Sequence, residues 1–218
     1  TVTIHDSNSA GTVYYPNLTG VEIVQVETIT SGATVVNLKN TTGVESVQII
    51  DEVTGAGFGT TVSDINGQTV EIVTNAGTST DFTTAAIVLN TATGVTNTDL
   101  KLTNSLTSKL NDAAPLHGAV FSTNSGAFTI TDAATDNNAT SSKDDFENQV
   151  YEVAGTASTA KLTSLTISGG GDKDTTTAKL DPNKHTITAS TNVDIGTVDA
   201  SAMVGDLDLV SAALKSGA

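Results

Sequence analysis

Three groups of carboxylates stand close enough in the chain to act together. Asp172 and Asp174 follow Gly169-Gly170-Gly171 and lie two residues apart, an arrangement that offers a hard cation two carboxylates and several backbone carbonyls. Asp206 and Asp208, with Asp199 and Asp194 nearby, form the second group, because residues i and i+2 of a strand share one face. Asp144, Asp145 and Glu147 make the third. Ca²⁺ is the ion that such oxygen-only sets favour. Each group also has a plainer reading: a solvated glycine-rich turn, the charged outer face of a strand whose Leu207 and Leu209 point inward, and a solubilising surface loop. The candidate calcium ligands are Asp172, Asp174, Asp199, Asp206 and Asp208.

Other chemistries find little support. His5, His117 and His185 are single residues without metal-ligand spacing, and the chain has no Cys, so thiolate catalysis, disulfides and Cys-ligated metals are excluded. No serine sits in a G-x-S-x-G context. With 24 acidic residues, a pair suited to glycoside hydrolysis could be drawn almost anywhere, which makes any one choice uninformative. The basic residues number 9 and all are Lys, so the side chain best suited to grip carboxylates and phosphates bidentately is missing. A net charge of −15 argues against nucleic acid as a partner, since phosphate binding needs a basic footprint. These features predict a protein that is not an enzyme.

The elements that would position the carboxylates are strands. Gly20-Val21-Glu22-Ile23-Val24-Gln25-Val26 returns as Gly43-Val44-Glu45-Ser46-Val47-Gln48-Ile49, 23 residues later (20 to 43), and more loosely as Gly67-Gln68-Thr69-Val70-Glu71-Ile72-Val73. In an extended chain Val21, Ile23 and Gln25 fall on one side and Glu22, Val24 and Val26 on the other. A strand repeated at so short a period predicts coils of chain stacked on one another, with Val21–Val26 pairing parallel to Val44–Ile49. A second strand, Ala33–Leu38, completes the coil, and a weaker echo runs from Ile87 to Val95 and on to Asp99–Leu102. Roughly nine such coils would fit the chain, giving a stack about 40 Å long. Asn37, Asn40, Asn66 and Asn90 are expected to stack their amides at the corners.

Composition agrees with an all-β chain. Aromatics are 4% and Trp is absent, so the core must come from Val, Ile, Leu, Ala and Thr, which suits narrow stacked coils. Residues 1–103 read as regular coils. Residues 104–218 continue them more loosely, with inserted loops at 132–147 and 169–184, in one continuous domain or two. Asn124-Ser125-Gly126 reads as a tight turn between two strands, Lys161–Ile167 as one strand, and Ser211–Lys215 as the start of a helix or the point where the architecture is cut. Tandem antiparallel β-sandwich domains are the alternative fold, since they too give short strands with frequent turns. No apolar run is long enough to span a membrane, no signal peptide stands at Thr1, and the first residue is not Met, as in a processed product or an excised fragment.

At Gly20–Val26, at Gly43–Ile49 and above all at Ile195-Gly196-Thr197-Val198-Asp199-Ala200-Ser201-Ala202-Met203-Val204-Gly205-Asp206-Leu207-Asp208-Leu209, the chain resembles the Thr-, Ser-, Ala- and Gly-rich regions of bacterial surface-layer proteins. It also looks like the repeats-in-toxin exoproteins released by type I secretion. The resemblance implies a right-handed parallel β-helix, export without a cleaved N-terminal signal, calcium dependence, and self-assembly into a lattice on the bacterial cell surface. Cell-surface polysaccharide would be bound by parts of the protein outside this chain. The calcium-binding nonapeptide of that family is absent as such: its nearest counterpart, Gly169–Asp174, has Asp172 where the pattern has Gly. The expected function is a structural region of an extracellular surface layer. An adhesin or ligand-binding stalk is the alternative, and a β-helix polysaccharide-degrading enzyme the minor one.

Overall fold

A computed structural model describes residues 1–7, 11–28, 34–51, 60–74, 88–92, 99–104, 116–122, 126–133, 148–154, 160–173, 180–182, 184–189, 193–204 and 206–210. The fold is all-β. The first of two eight-stranded sheets contains, in spatial order, Val2–Asp6, Ile23–Thr28, Ser46–Asp51, Thr69–Thr74, Asp99–Asn104, Ala127–Asp132, Ser164–Gly169 and Val198–Met203. The second contains Thr12–Tyr14, Thr34–Asn37, Thr60–Ile65, Val88–Thr91, Leu116–Ser122, Asn148–Ala154, Lys184–Ala189 and Asp206–Val210. Within each sheet spatial order equals chain order, and the chain alternates between the two. Every pairing inside both sheets is parallel. The antiparallel sandwich alternative is thereby overturned.

Parallel pairing of the repeated motif is present in the predicted register: Val24 pairs with Val47, Gln25 with Gln48 and Val26 with Ile49, and Val47 pairs in turn with Val70. This third copy keeps the 23-residue step, although its glycine stands one residue closer to the strand. Val24, Val47 and Val70 are fully buried and stack in one inner row, with Val26 and Ile49 beside them. Burying each such side chain contributes about 1.5–3 kcal/mol. Ile23, Gln25 and Glu27 alternate to the outer side. Val21 and Val44 behave differently from the simple alternation: they precede the strands, and from the corner they pack against the core.

That corner depends on glycine. Gly20, Gly43 and Gly67 have φ of 71°, 86° and 89°, the left-handed region that a Cβ disfavours. Successive corners are bonded to each other, Gly20 N–H donating to Thr42 O at 3.1 Å and Glu45 N–H to Glu22 O at 2.8 Å. Leu18–Thr19 and Thr41–Thr42 pair as short parallel strands in the same place.

After Val70 the step lengthens. Val70 aligns with Leu102, Leu102 with Ile130 and Ile130 with Ile167, the last two strands lying 37 residues apart. Along these four strands the extra residues fall between strands and leave the register intact. Among the described residues each of the two sheets has eight strands, beside the roughly nine coils expected from a constant period. Both sheets run from 1–103 into 104–218.

Three local readings are corrected. The strands flanking 124–126 lie in different sheets, so no hairpin joins them, and residues 123–125 lie outside the described residues. Lys161–Ile167 is broken at Thr163, whose N–H donates to Gly126 O at 2.6 Å. Ala160–Leu162 then pairs with Val193–Ile195, while Ser164–Gly169 stays in the first sheet. The inserted segment 169–184 contains an antiparallel pair, Gly171–Lys173 with Leu180–Pro182. Residues 134–147 and 211–218 lie outside the described residues.

Gly169 shows two constraints acting at once. Its φ is +85°, and a Cβ there would stand 1.9 Å from Asp132 O on the adjacent strand. Gly67 has φ +89° but nothing within 4 Å of a Cβ. Gly67→Ala should cost the left-handed strain alone, about 1–2 kcal/mol. Gly169→Ala should cost a further 1–3 kcal/mol or so from overpacking against backbone. Equal denaturation midpoints for the two variants would contradict this account.

Candidate functional site

The structure separates the carboxylates that the sequence groups. Asp199 is in the first sheet opposite Thr166, whereas Asp206 and Asp208 are in the second, opposite Lys184 and Thr186. Asp206 and Asp208 are exposed and alternate with partly buried Leu207 and Leu209, the arrangement of a charged outer strand face. Asp172 aligns with Asp181 across the small antiparallel pair. Asp174 and the Asp144, Asp145, Glu147 group lie outside the described residues. Among the described residues no group of three His, Asp or Glu side chains is placed to hold a metal ion.

Asp199 has a local task. Thr166 aligns with Asp199 and Ser168 with Ala202, so the outer strand carries one more residue than its neighbour across this step, a β-bulge. The bulge shifts the alternation of Val198–Met203, and Val198 and Met203, five positions apart, both pack against the core. The Asp199 carboxylate accepts the Ser201 backbone N–H at 2.9 Å and clasps the bulge. Hydrogen bonds from Ser201, side chain first and backbone second, hold the Asp199 carboxyl below its ordinary value of 3.8. The Asp-Ala-Ser-Ala segment thus has a structural explanation in this fold.

A second bulge, missed by the sequence reading, lies in Thr60–Ile65. Leu89 aligns with Val62 but Thr91 with Ile65, and within the extra residue Asp64 adopts φ 59°. Asp and Asn tolerate this conformation better than most residues. Asn37 Nδ2 donates to Asp64 Oδ2, and Asn37 Oδ1 accepts the Lys39 N–H at 2.9 Å, closing the short 3₁₀ turn Leu38–Asn40. Asn37 therefore bonds to a carboxylate and a turn amide, where stacking with other asparagines was expected.

The stacked amides occur elsewhere, on the outer face of the first sheet. Thr3 Oγ1 donates to Gln25 Oε1 at 3.0 Å, Gln25 Nε2 to Gln48 Oε1 at 2.9 Å, and Gln48 Nε2 to Glu71 Oε2 at 3.0 Å. The row continues by register through Thr103, Thr131 and Ser168, with a Ser168–Thr131 hydroxyl contact at 3.5 Å. In a neighbouring outer row His5 Nδ1 faces Glu27 Oε2.

Asp6 carries a carboxylate that is fully buried. Asp6 accepts from Tyr14 OH at 3.0 Å on Oδ1 and from Thr34 Oγ1 at 2.7 Å on Oδ2, linking the end strand of the first sheet to two strands of the second. Hydrogen bonding of this kind is what makes a buried carboxylate tolerable. No local pattern announces it, because the partners come from three strands.

Burial first, and then the bond and charge of Asp6, push the Tyr14 phenol above its ordinary 10.0. The folded state thus holds the phenol proton more tightly than the unfolded chain. The associated stability is complete below pH 10.0 and disappears as pH rises through the higher folded value. Denaturant midpoints should fall with rising alkalinity more steeply in the natural chain than in Tyr14→Phe; parallel profiles would refute the assignment. For Asp199 the sign is opposite, since its depressed value gives a contribution present above pH 3.8 and lost as pH falls through the lower folded value. The Ser201 amide resonance should titrate with Asp199 at a midpoint below 3.8 and cease to do so in Asp199→Ala. A midpoint at or above the ordinary value would count against the clasp. In comparisons with known proteins, no family model, no curated protein and no solved structure matches this chain.

Proposed function

We propose that the two parallel sheets are opposite walls of a right-handed parallel β-helix, and that this helix is a structural region of a self-assembling extracellular coat on a bacterial surface. The reading takes the chain as non-enzymatic, exported by type I secretion and calcium-dependent. One observation carries the structural role. The polar groups that would serve chemistry elsewhere are engaged in contacts from strand to strand: Gln25, Gln48 and Glu71 in the outer row, Asp6 with Tyr14 and Thr34 in the core, and Asn37 with Asp64 at a bulge. Such a molecule resists bending and offers regular faces for lateral contact.

The charge balance supports the calcium component. A surface with a net charge of −15 repels its own copies at low ionic strength, and divalent cations outside the cell would bridge or neutralise it. Asp172, Asp174, Asp206 and Asp208 are the ligands this reading assigns to contacts between copies, where each copy supplies part of the coordination shell. Asp199 is left to its clasp.

Calcium at about 100 times its dissociation constant would add about 2.7 kcal/mol to the assembled, folded chain. That corresponds to a rise in Tm of about 5–10 °C for a chain of this size. Ordered sheets or bundles should appear by electron microscopy on adding calcium and disperse with EGTA. A Tm and a scattering profile indifferent to both would remove calcium from the proposal. A chain that remains monomeric at high concentration under all conditions would remove the coat.

A further inference from the structure

The third corner of the repeated motif is built differently from the first two. Gly20 and Gly43 each follow a Thr of the short parallel pair Leu18–Thr19 and Thr41–Thr42, and Gly20 N–H is held by Thr42 O. The register of Ile23, Ser46 and Thr69 puts Asn66 where those glycines stand and Gly67 one step later. The backbone is fixed on either side, by Ala92 N–H donating to Ile65 O at 2.9 Å and by Thr69 N–H donating to Glu45 O at 3.0 Å. Between these anchors Asn66 and Gly67 are exposed. Asn66 N–H donates to Gln68 Oε1 at 2.6 Å, whereas the Asn66 side-chain amide and the Gly67 N–H have no hydrogen-bond partner among the described residues. A Cβ added at Gly67 would meet nothing within 4 Å.

Asparagine is chemically labile where the next main-chain nitrogen can reach its side-chain carbonyl carbon. A following glycine allows this most readily, because it puts no side chain in the way and leaves the backbone free to turn. Asn66-Gly67 is the one Asn-Gly pair in the sequence. At Asn17, Asn40 and Asn90 the next residue, Leu18, Thr41 or Thr91, carries a side chain and sits in a paired strand.

We propose that Asn66 is a self-modifying site, converted in the folded chain to aspartate and isoaspartate with water as the sole co-reactant. The Gly67 nitrogen gives up its proton to solvent and attacks Asn66 Cγ. An N–Cγ bond forms, the Cγ–Nδ2 bond breaks, and ammonia leaves with a proton from solvent, closing a five-membered succinimide. Water then opens the ring at either carbonyl: attack at Cγ restores the main chain and leaves aspartate, and attack at the main-chain carbonyl leaves isoaspartate, whose backbone runs through Cβ and Cγ. Isoaspartate thus adds one atom to the main chain. Inside a strand that atom would disturb the alternation, but here it falls between Thr60–Ile65 and Thr69–Thr74 and both strands keep their register. Either product takes the net charge from −15 to −16, at the corner next to the exposed Glu45. The site goes beyond the coat reading and needs neither calcium nor a second copy.

The whole 218-residue chain, kept in mildly alkaline buffer, can be followed by peptide mass spectrometry, with electron-transfer fragmentation to separate isoaspartate from aspartate. Asn66 should exchange its NH₂ for OH and yield both products, with the far-ultraviolet circular dichroism unchanged and the chain retained longer on an anion exchanger. Asn17, Asn40 and Asn90 should stay intact over the same period. Gly67→Ala should slow the conversion at least about tenfold, since a Cβ hinders the attacking nitrogen. Asn66→Gln should stop it, since the longer side chain can close only a less favourable six-membered ring. The folded chain should react within about tenfold of the rate in denaturant, because the corner leaves the reacting atoms free. An Asn66 that survives in the folded chain while the denatured chain converts it would overturn the proposal. So would conversion undiminished in Gly67→Ala, equal conversion at Asn17 or Asn40, or aspartate as the single product.

Discussion

Parallel, in-register pairing is the constraint on which the rest of the structure depends. When each strand lies on its neighbour in the same direction, residues at one register position form a row at a spacing of about 4.8 Å. A row has one environment along its length, so its members must suit one another. Val24, Val47 and Val70 satisfy this on the inside, and Gln25 and Gln48 satisfy it on the outside, where an amide can donate to one neighbour and accept from the other. Antiparallel pairing would set different side chains against each other and would have no use for the repeat.

The same constraint explains why the chain tolerates such uneven lengths between strands. Loop closure cost grows slowly with loop length, so a coil can lengthen between Val70 and Leu102, or between Ile130 and Ile167, without disturbing the strands on either side. What the rows do not tolerate is a change of parity inside a strand. At two of the three places where an extra residue occurs among the described residues, at Asp64 and beyond Asp199, a carboxylate is bound nearby, to Asn37 in one case and to Ser201 in the other, and the third lies between His117 and Val120. Short acidic side chains serve these two bulges by reaching a donor close at hand.

How far the fold could be read from the residues follows from the same point. The motif from Gly20 to Val26 displays its period, its parity and its glycine corner, and each reappears in the structure with parallel register. Alternation by two cannot reveal an inserted residue, so the bulges were invisible, and Asp199, grouped with Asp206 and Asp208 along the sequence, lies in the other sheet. Nor does it tell a corner from a strand: Val21 and Val44 have the right parity for the outer face but pack inward from the turn. Beyond Val70 the period is hidden by polar inserts, and the pairing of Ile130 with Ile167 depends on contacts no local window contains. The buried Asp6 cluster is of this kind too, since Tyr14 and Thr34 meet Asp6 only once both sheets exist.

The outer amide row has a sense of direction. From Thr3 through Gln25 and Gln48 to Glu71, every donor points the same way, towards a carboxylate that can only accept while ionised. Its two glutamines are interchangeable links, each offering a donor ahead and an acceptor behind. A duplication of one 23-residue unit between them would add a link without leaving either neighbour unsatisfied. Growth of the stack by copying this unit is therefore chemically neutral along this row.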